Sequence, residues 1–353
     1  MFVEITNDPR DYAWGSTTLI PRLLGVEPDG RPQAEIWLGT HPGSPARLVG
    51  REGDLRDVVG ELPFLLKILA AGAPLSLQAH PTTAQAEEGF ARENAAGIPL
   101  DSPGRNYKDP FAKPEMVYAL SDEFRALCGF RPVAETRAVI DAVDSGLLPQ
   151  LRTDADIRPV FEWLLSGDPG VEPVVAAVSA AARDADGDSW RTVRGLVAAY
   201  PGDPGIAISL LLHTVVLRRG EALYLPAGNI HSYQEGLGIE LMGPSDNVLR
   251  CGLTGKHVDV PELLGVVDFT PVLDPRLVPQ EDEAGARFAP AGAGWQLLVL
   301  HGARGLAVDA PALLVVLEGS VSADGVTVSA PGYAAASGTT VAVDGRVVVA
   351  RTG

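Results

Sequence analysis

Residues 205–253 read GIAISLLLHTVVLRRGEALYLPAGNIHSYQEGLGIELMGPSDNVLRCGL. Short apolar runs alternate there with turn-forming Gly, Pro, Asn and Asp, which is the pattern of a β-sandwich or barrel. The same texture lies on both sides of the stretch. Upstream, "AEIWLGTHPG" (34–43), "LPFLLKILAAG" (62–72) and "PLSLQAHP" (74–81) read as strands and turns, with helices expected at "TTAQAEEGFAREN" (82–94) and at "LPFLLKILA" (62–70). "GIPLDSPGRNYKDPFAKP" (97–114) is loop-like, being rich in Pro, Gly and Asp. From about 131 the period changes. Val139, Val143 and Leu147 recur every four residues, and Val171, Val174, Val175 and Val178 fit one helical face, as do Trp190, Val193 and Val197. From about 266 short strands return, and the Asp-Gly pairs at 324–325 and 344–345 read as tight turns. The expected organisation is therefore a β unit made of 1–130 and 206–265, a helical insertion at 131–205, and a second β unit at 266–353.

Composition narrows the function classes. A chain of 353 residues with 46% hydrophobic and 21% charged residues is an ordinary globular protein, long enough for two or three domains. Two cysteines, Cys128 and Cys251, cannot build a disulfide framework and read as small buried residues in a reducing, cytoplasmic compartment. "MFVEITNDPRDYAWGS" has neither the basic nor the apolar region of a signal peptide, and no apolar run reaches a membrane span. The net charge of −17 disfavours nucleic acid as a partner. It also disfavours small anions unless cations cluster locally, so individual lysines and arginines near a site carry more information here.

Chemistry-bearing residues sit in three separated segments. Gln78 and His80 are two apart on an expected strand and so share a face. Glu115 follows Lys113 in "KPEM", and His231 follows a Pro-Ala-Gly turn in "LPAGNIHSY". Two imidazoles, a carboxylate and an amide oxygen make a mixed N/O set for one zinc ion, with manganese, iron or cobalt as alternatives. Each element has a plainer reading on its own: a hydrogen-bonded surface pair, a capping carboxylate, a satisfied turn histidine. Spacing does not show that the segments converge.

Taken together, "LKILAAGAPLSLQAHP", "NYKDPFAKPEM", "LCGFRP", "GEALYLPAGNIHSY" and "SDNVLRCGLT" resemble the type I mannose-6-phosphate isomerases, with "AWGS" and "AEIWLGTHPG" in agreement. The resemblance runs in family order from residue 12 to about 256, and the C-terminal segment matches only in texture. It implies a mainly β fold: a cupin (jelly-roll) catalytic core, an inserted α-helical domain and a C-terminal jelly roll. It also implies a cytoplasmic enzyme that interconverts mannose 6-phosphate and fructose 6-phosphate through an enediol. The zinc ligands it implies are Gln78, His80, Glu115 and His231. The catalytic arginine matches Arg250 in "SDNVLR", and substrate contacts fall on Lys67, Ser76, Lys113 and Arg250. Glu240 in "GIELM" and Asp246 in "SDN" match active-site acids. Lys113 is the first candidate for proton transfer, with substrate binding as its alternative, and Lys67 is the candidate for the phosphate. A lysine snorkelling from an apolar helix is the plainer reading of Lys67.

The chain departs from the family pattern at Ala112, where a histidine is common, at Gly255, and at the "SY" after His231. The change near Ala112 bears on substrate preference, so an isomerase of unphosphorylated mannose or another aldose remains open. So do a cupin iron oxygenase and a non-catalytic sugar-phosphate-binding module. His41 in "GTHP" reads as closing a turn. The sequence does not choose between a monomer and a homo-oligomer.

Overall fold

Leu65–Ala71 is a strand, and all seven of its residues are buried. The helix expected at 62–70 is thus corrected, and the burial explains the misreading. A strand covered on both faces loses its polar alternation and reads as a continuous apolar run, as a buried helix segment also does. The helix expected at 82–94 is present as Thr83–Ala95, started by a reciprocal capping box between Thr82 and Gln85.

The computed structural model describes residues 1–353, and its strands form antiparallel pairs in two ten-stranded sheets. In the sheet that holds the sequence motifs, the organising element is the 12-residue strand His231–Met242. Its second half pairs with Leu65–Ala71 on one side and Glu115–Ala119 on the other. Its first half pairs with Leu77–Ala79 and Glu123–Phe130. One strand therefore belongs to both walls of the sandwich and bends between them. The bend falls at a bulge between Tyr233 and Glu235, followed by Gly236 at φ +129°. A side chain at 236 would meet the carbonyl oxygen of Glu123 and the Cα of Phe124, each at 2.9 Å. Bulges and glycines are how strands turn such corners.

Both outer faces of the sandwich are covered. Leu77, Ala79, Leu127, Phe130, Leu249 and Cys251 pack against the helices Val133–Asp141, Ile157–Leu165, Val171–Ala181 and Asp188–Ala199. Val143 and Leu147, expected on a helix, lie beyond the end of the first of these. On the other wall, Leu66, Ile68, Ile239 and Leu241 share a core with Leu297, Val299, Leu313, Val315 and Val348 of the C-terminal sheet. The residues between them, Lys67, Leu69 and Glu240, point into the barrel interior by the alternation of a strand.

The C-terminal sheet is built from Trp295–His301, Ala312–Ala323, Gly332–Ala336 and Thr339–Thr352, with shorter strands at its margins. Asp324-Gly325 is the expected two-residue turn, joining Ala323 to its partner Val326. Asp344-Gly345 is not a turn. It kinks Thr339–Thr352 where that strand changes partners, from Arg304–Val308 to Trp295–His301. The β unit expected at 1–130 and 206–265 does not keep all its strands in one sheet. Phe2–Thr6 pairs with Gly332–Ala336 and with Arg47–Leu48, so the first strand lies in the C-terminal sheet.

Gly236→Ala should be costly, because positive-φ strain and overpacking each contribute about 1–3 kcal/mol. The expected loss of stability is about 2–5 kcal/mol by urea unfolding, and an unchanged midpoint would show that the corner does not need glycine.

Candidate metal centre and substrate cleft

Strand register assembles the site. Gln78 lies opposite His231 on one side and Arg250 on the other, so the three side chains project from the same face. His80, two residues beyond Gln78, joins that face, while Leu77, Ala79, Leu249 and Cys251 point to the helices. Glu115 arrives from another strand as the first residue of Glu115–Ala119. The ligand atoms of His80, Glu115 and His231 lie within 4.8 Å of one another, and all three residues are buried. The Glu115 carboxylate stands 3.3 Å from Nε2 of His80 through one oxygen and 3.3 Å from Nε2 of His231 through the other.

The backbone sets the protonation of both rings. Nδ1 of His80 is 2.7 Å from the carbonyl of Asn247, and Nδ1 of His231 is 3.0 Å from the carbonyl of Asn229. A carbonyl only accepts, so each Nδ1 carries a hydrogen, and in the neutral ring Nε2 then presents a lone pair. Both Nε2 atoms are buried without a hydrogen-bond partner. Two lone pairs facing a carboxylate in a dry interior are unfavourable unless a cation lies between them. Two neutral imidazoles and a carboxylate are the donor set of a zinc site, and their outer nitrogens bonded to backbone carbonyls complete the usual arrangement.

Burial, reinforced by the charge of Lys113, pushes the His80 imidazole down to about 4, which keeps it in the form that binds metals. Burial works against the charged form of Glu115, but Lys113, 3.0 Å away, together with His80 and His231, outweighs it and holds this carboxyl well below the usual range. Gln78 is half-buried beside His231, and its amide oxygen accepts from Ser76 Oγ at 3.4 Å. That leaves the oxygen a second lone pair.

Lys67 sits deeper and is already engaged. Its Nζ is 3.3 Å from Glu35, 3.2 Å from Glu240 and 4.8 Å from the centre of the Trp37 ring. Trp37 in turn donates its indole N–H to Glu35 at 2.8 Å. Burial lowers the pKa of Lys67, but Glu35, Glu240 and Glu115 together reverse this and hold it above its ordinary value. Burial pushes Glu240 up to about 6 against the opposing charge of Lys67. Lys67 is thus on a strand rather than a helix, and two carboxylates occupy the charge that a phosphate would need.

Cations without such partners line an open cleft of about 530 Å³ that contains Arg250, Lys256, His257, Lys108 and Asp246. Arg250 is half-buried and Lys256 exposed. The charge of Arg250, with some burial, lowers the pKa of Lys256, which places the two cations close together. Asp246 stands 3.5 Å from Nε2 of His41. The amide of Gly43 donates to Nδ1 of the same ring, so His41 closes the expected turn and reaches the cleft only through Asp246.

The structure thus brings Gln78, His80, Glu115, His231, Lys113 and Arg250 to one region, with Asp246 at its rim and Lys67 and Glu240 beneath. Sequence reasoning missed Glu35, Trp37, Lys256 and Asn247. A carboxylate inside the apolar run "AEIWL" was the available signal for Glu35.

The family model for the phosphomannose isomerase type I catalytic domain matches residues 2–133. The mannose-6-phosphate isomerase of Escherichia coli (strain K12) is 40% identical over 310 residues, covering 80% of this chain and 79% of that protein. The human mannose-6-phosphate isomerase is 29% identical over 387 residues, covering 91% and 88%. Among solved structures, the zinc-bound holo form of a mannose 6-phosphate isomerase superposes with a TM-score of 0.92 at 32% identity, covering 99% of both chains. The Salmonella typhimurium enzyme bound to fructose 6-phosphate and zinc gives the same values. A mainly β chain with a buried His-Glu-His cluster, so similar to these proteins along its length, belongs to the type I mannose-6-phosphate isomerase family.

Proposed function

We infer that this protein is a metal-dependent aldose–ketose isomerase that interconverts mannose 6-phosphate and fructose 6-phosphate. The observation that carries the reading is the pair of bare, buried imidazole nitrogens around Glu115, linked through Gln78 and its neighbour Arg250 to a cleft lined by cations. His80, Glu115 and His231, with Gln78 as the fourth, would hold one zinc ion. When bound, the ion supplies Lewis acidity toward the sugar oxygens at C1 and C2.

The rest of the work falls to side chains. The reaction moves a proton between C1 and C2, so negative charge develops on the oxygens of the enediol. Arg250, which faces the site beside Gln78, stays protonated and stabilises that charge. Lys113, whose Nζ is 3.0 Å from the carboxylate of Glu115, is assigned the proton transfer. Glu240 acts through Lys67, fixing its position under the site. Asp246 and Ser76 line the approach of the sugar. The phosphate is assigned to Lys256 with Arg250, because these cations face the cleft and Lys67 does not. The apolar segments are too short for a membrane role: no helix is long and apolar enough to cross one. Two buried free thiols, Cys128 and Cys251, agree with a cytoplasmic setting.

A coupled assay for ketose formation from mannose 6-phosphate tests the reading directly. Chelated protein should be inactive and recover with zinc, and His231→Ala should weaken zinc binding by more than about 100-fold, beyond the cost of losing an outer contact. Chelated protein that keeps full turnover would exclude the metal site. Arg250→Ala should lower kcat by about 10²–10³-fold with zinc content retained; loss of zinc instead would make Arg250 structural. Lys256→Ala should raise KM for mannose 6-phosphate by about 10–100-fold, the worth of a charged hydrogen bond, and leave slow turnover of free mannose unchanged. Equal losses on both sugars would place the phosphate elsewhere.

A further inference from the structure

Asn247 is fully buried, and every hydrogen-bonding position of its carboxamide is used. Oδ1 accepts from the amides of Lys108 at 2.6 Å and Asp109 at 3.2 Å. Nδ2 donates to the carbonyls of Asp109 at 2.8 Å and Phe111 at 2.9 Å, and lies 3.2 Å from the Asp109 carboxylate. The side chain thus takes the place of a neighbouring strand for segment 108–111, an irregular stretch that has none. Asp109 returns the contact by accepting from the amide of Asp246 at 2.9 Å. Ser245 Oγ closes the bracket, accepting from the amide of Asn247 at 3.2 Å and donating to the carbonyl of Phe111 at 3.2 Å.

The backbone of the same residue serves a different part of the site, because its carbonyl accepts from Nδ1 of His80 at 2.7 Å. Asn247 therefore grips two things at once. One is the ring whose Nε2 faces the metal position. The other is the segment that runs on through Ala112 to Lys113 and Glu115. Arg250 follows three residues later on its own strand.

We propose that Asn247 is a positioning residue that holds His80, the Lys113–Glu115 segment and Arg250 in one frame, so that metal affinity and turnover both depend on its carboxamide although it touches neither ion nor sugar. The inference rests on the reading of His80 and Glu115 as metal ligands. Only a carboxamide fits the bracket. An aspartate at 247 would offer no hydrogen to the carbonyls of Asp109 and Phe111 and would face the carboxylate of Asp109.

The test compares wild type with Asn247→Asp and Asn247→Ser. The readouts are zinc Kd by chelator competition, the visible absorption of the cobalt(II)-substituted protein, kcat and KM, and the unfolding midpoint of the metal-free form. Asn247→Asp should weaken zinc binding by about 10–100-fold, the usual effect of losing an outer-sphere partner. It should also alter the cobalt spectrum and lower kcat more than it raises KM. If Asn247→Asp does not fold, Asn247→Ser and Asp109→Ala, which loosens the same bracket from the other side, are read by the same measures. A lowered unfolding midpoint with zinc Kd and cobalt spectrum unchanged would overturn the proposal and leave Asn247 a purely structural residue. Wild-type protein that takes up no divalent metal would overturn the metal-site reading and this inference with it. Wild-type binding matched by the variants overturns this inference alone.

Discussion

Two imidazole nitrogens kept bare in a dry interior are the interaction on which the other features converge. Each unsatisfied buried polar atom costs about 1–3 kcal/mol, and here two of them face one carboxylate. The arrangement persists because the backbone carbonyls of Asn229 and Asn247 fix both rings from behind. The strand His231–Met242 contributes one ring and runs through both walls of the sandwich, so the site inherits the rigidity of its most heavily paired element. Helices cover one wall and the C-terminal sheet covers the other.

Charge is sorted by depth. Around the barrel floor, Glu35, Glu115 and Glu240 are balanced by Lys67 and Lys113, which leaves three negative groups against two positive. That excess suits a divalent cation. At the open end the excess is of the other sign, with Arg250 and Lys256 near one another. In a chain of net charge −17, such a rim is needed to admit an anionic sugar, while the floor retains a metal. One molecule thus presents opposite local charge to its two partners, negative in the buried cluster and positive in the cleft.

Much of this was legible in the sequence wherever a local rule applied. The i, i+2 spacing of Gln78 and His80 placed both on one face, and the helix expected at 82–94 forms as Thr83–Ala95. Asp324-Gly325 behaved as its turn chemistry required. The errors came where tertiary context decides. Lys67 read as helical because its strand is covered on both sides. Asp344-Gly345 kinks a strand because that strand changes partners there. Convergence of His80, Glu115 and His231 depends on which strands pair, which no spacing encodes; family resemblance supplied it. Asn247 was invisible for a related reason, since its partners lie far away in sequence and are mostly backbone groups of a loop.

The placement of Phe2–Thr6 bears on how its sheet closes. The ammonium of Met1 donates to the carbonyl of Ser337, 336 residues later, and Phe2–Thr6 pairs beside it. The strand's nearer partner, Arg47–Leu48, meets it only at Thr6 and Ile5, so the edge from Phe2 to Ile5 stays open until Gly332–Ala336 is in place. Closing the sheet that covers one wall of the barrel therefore needs a contact between segments far apart in the chain, a kind of pairing that forms slowly and leaves strand edges exposed meanwhile.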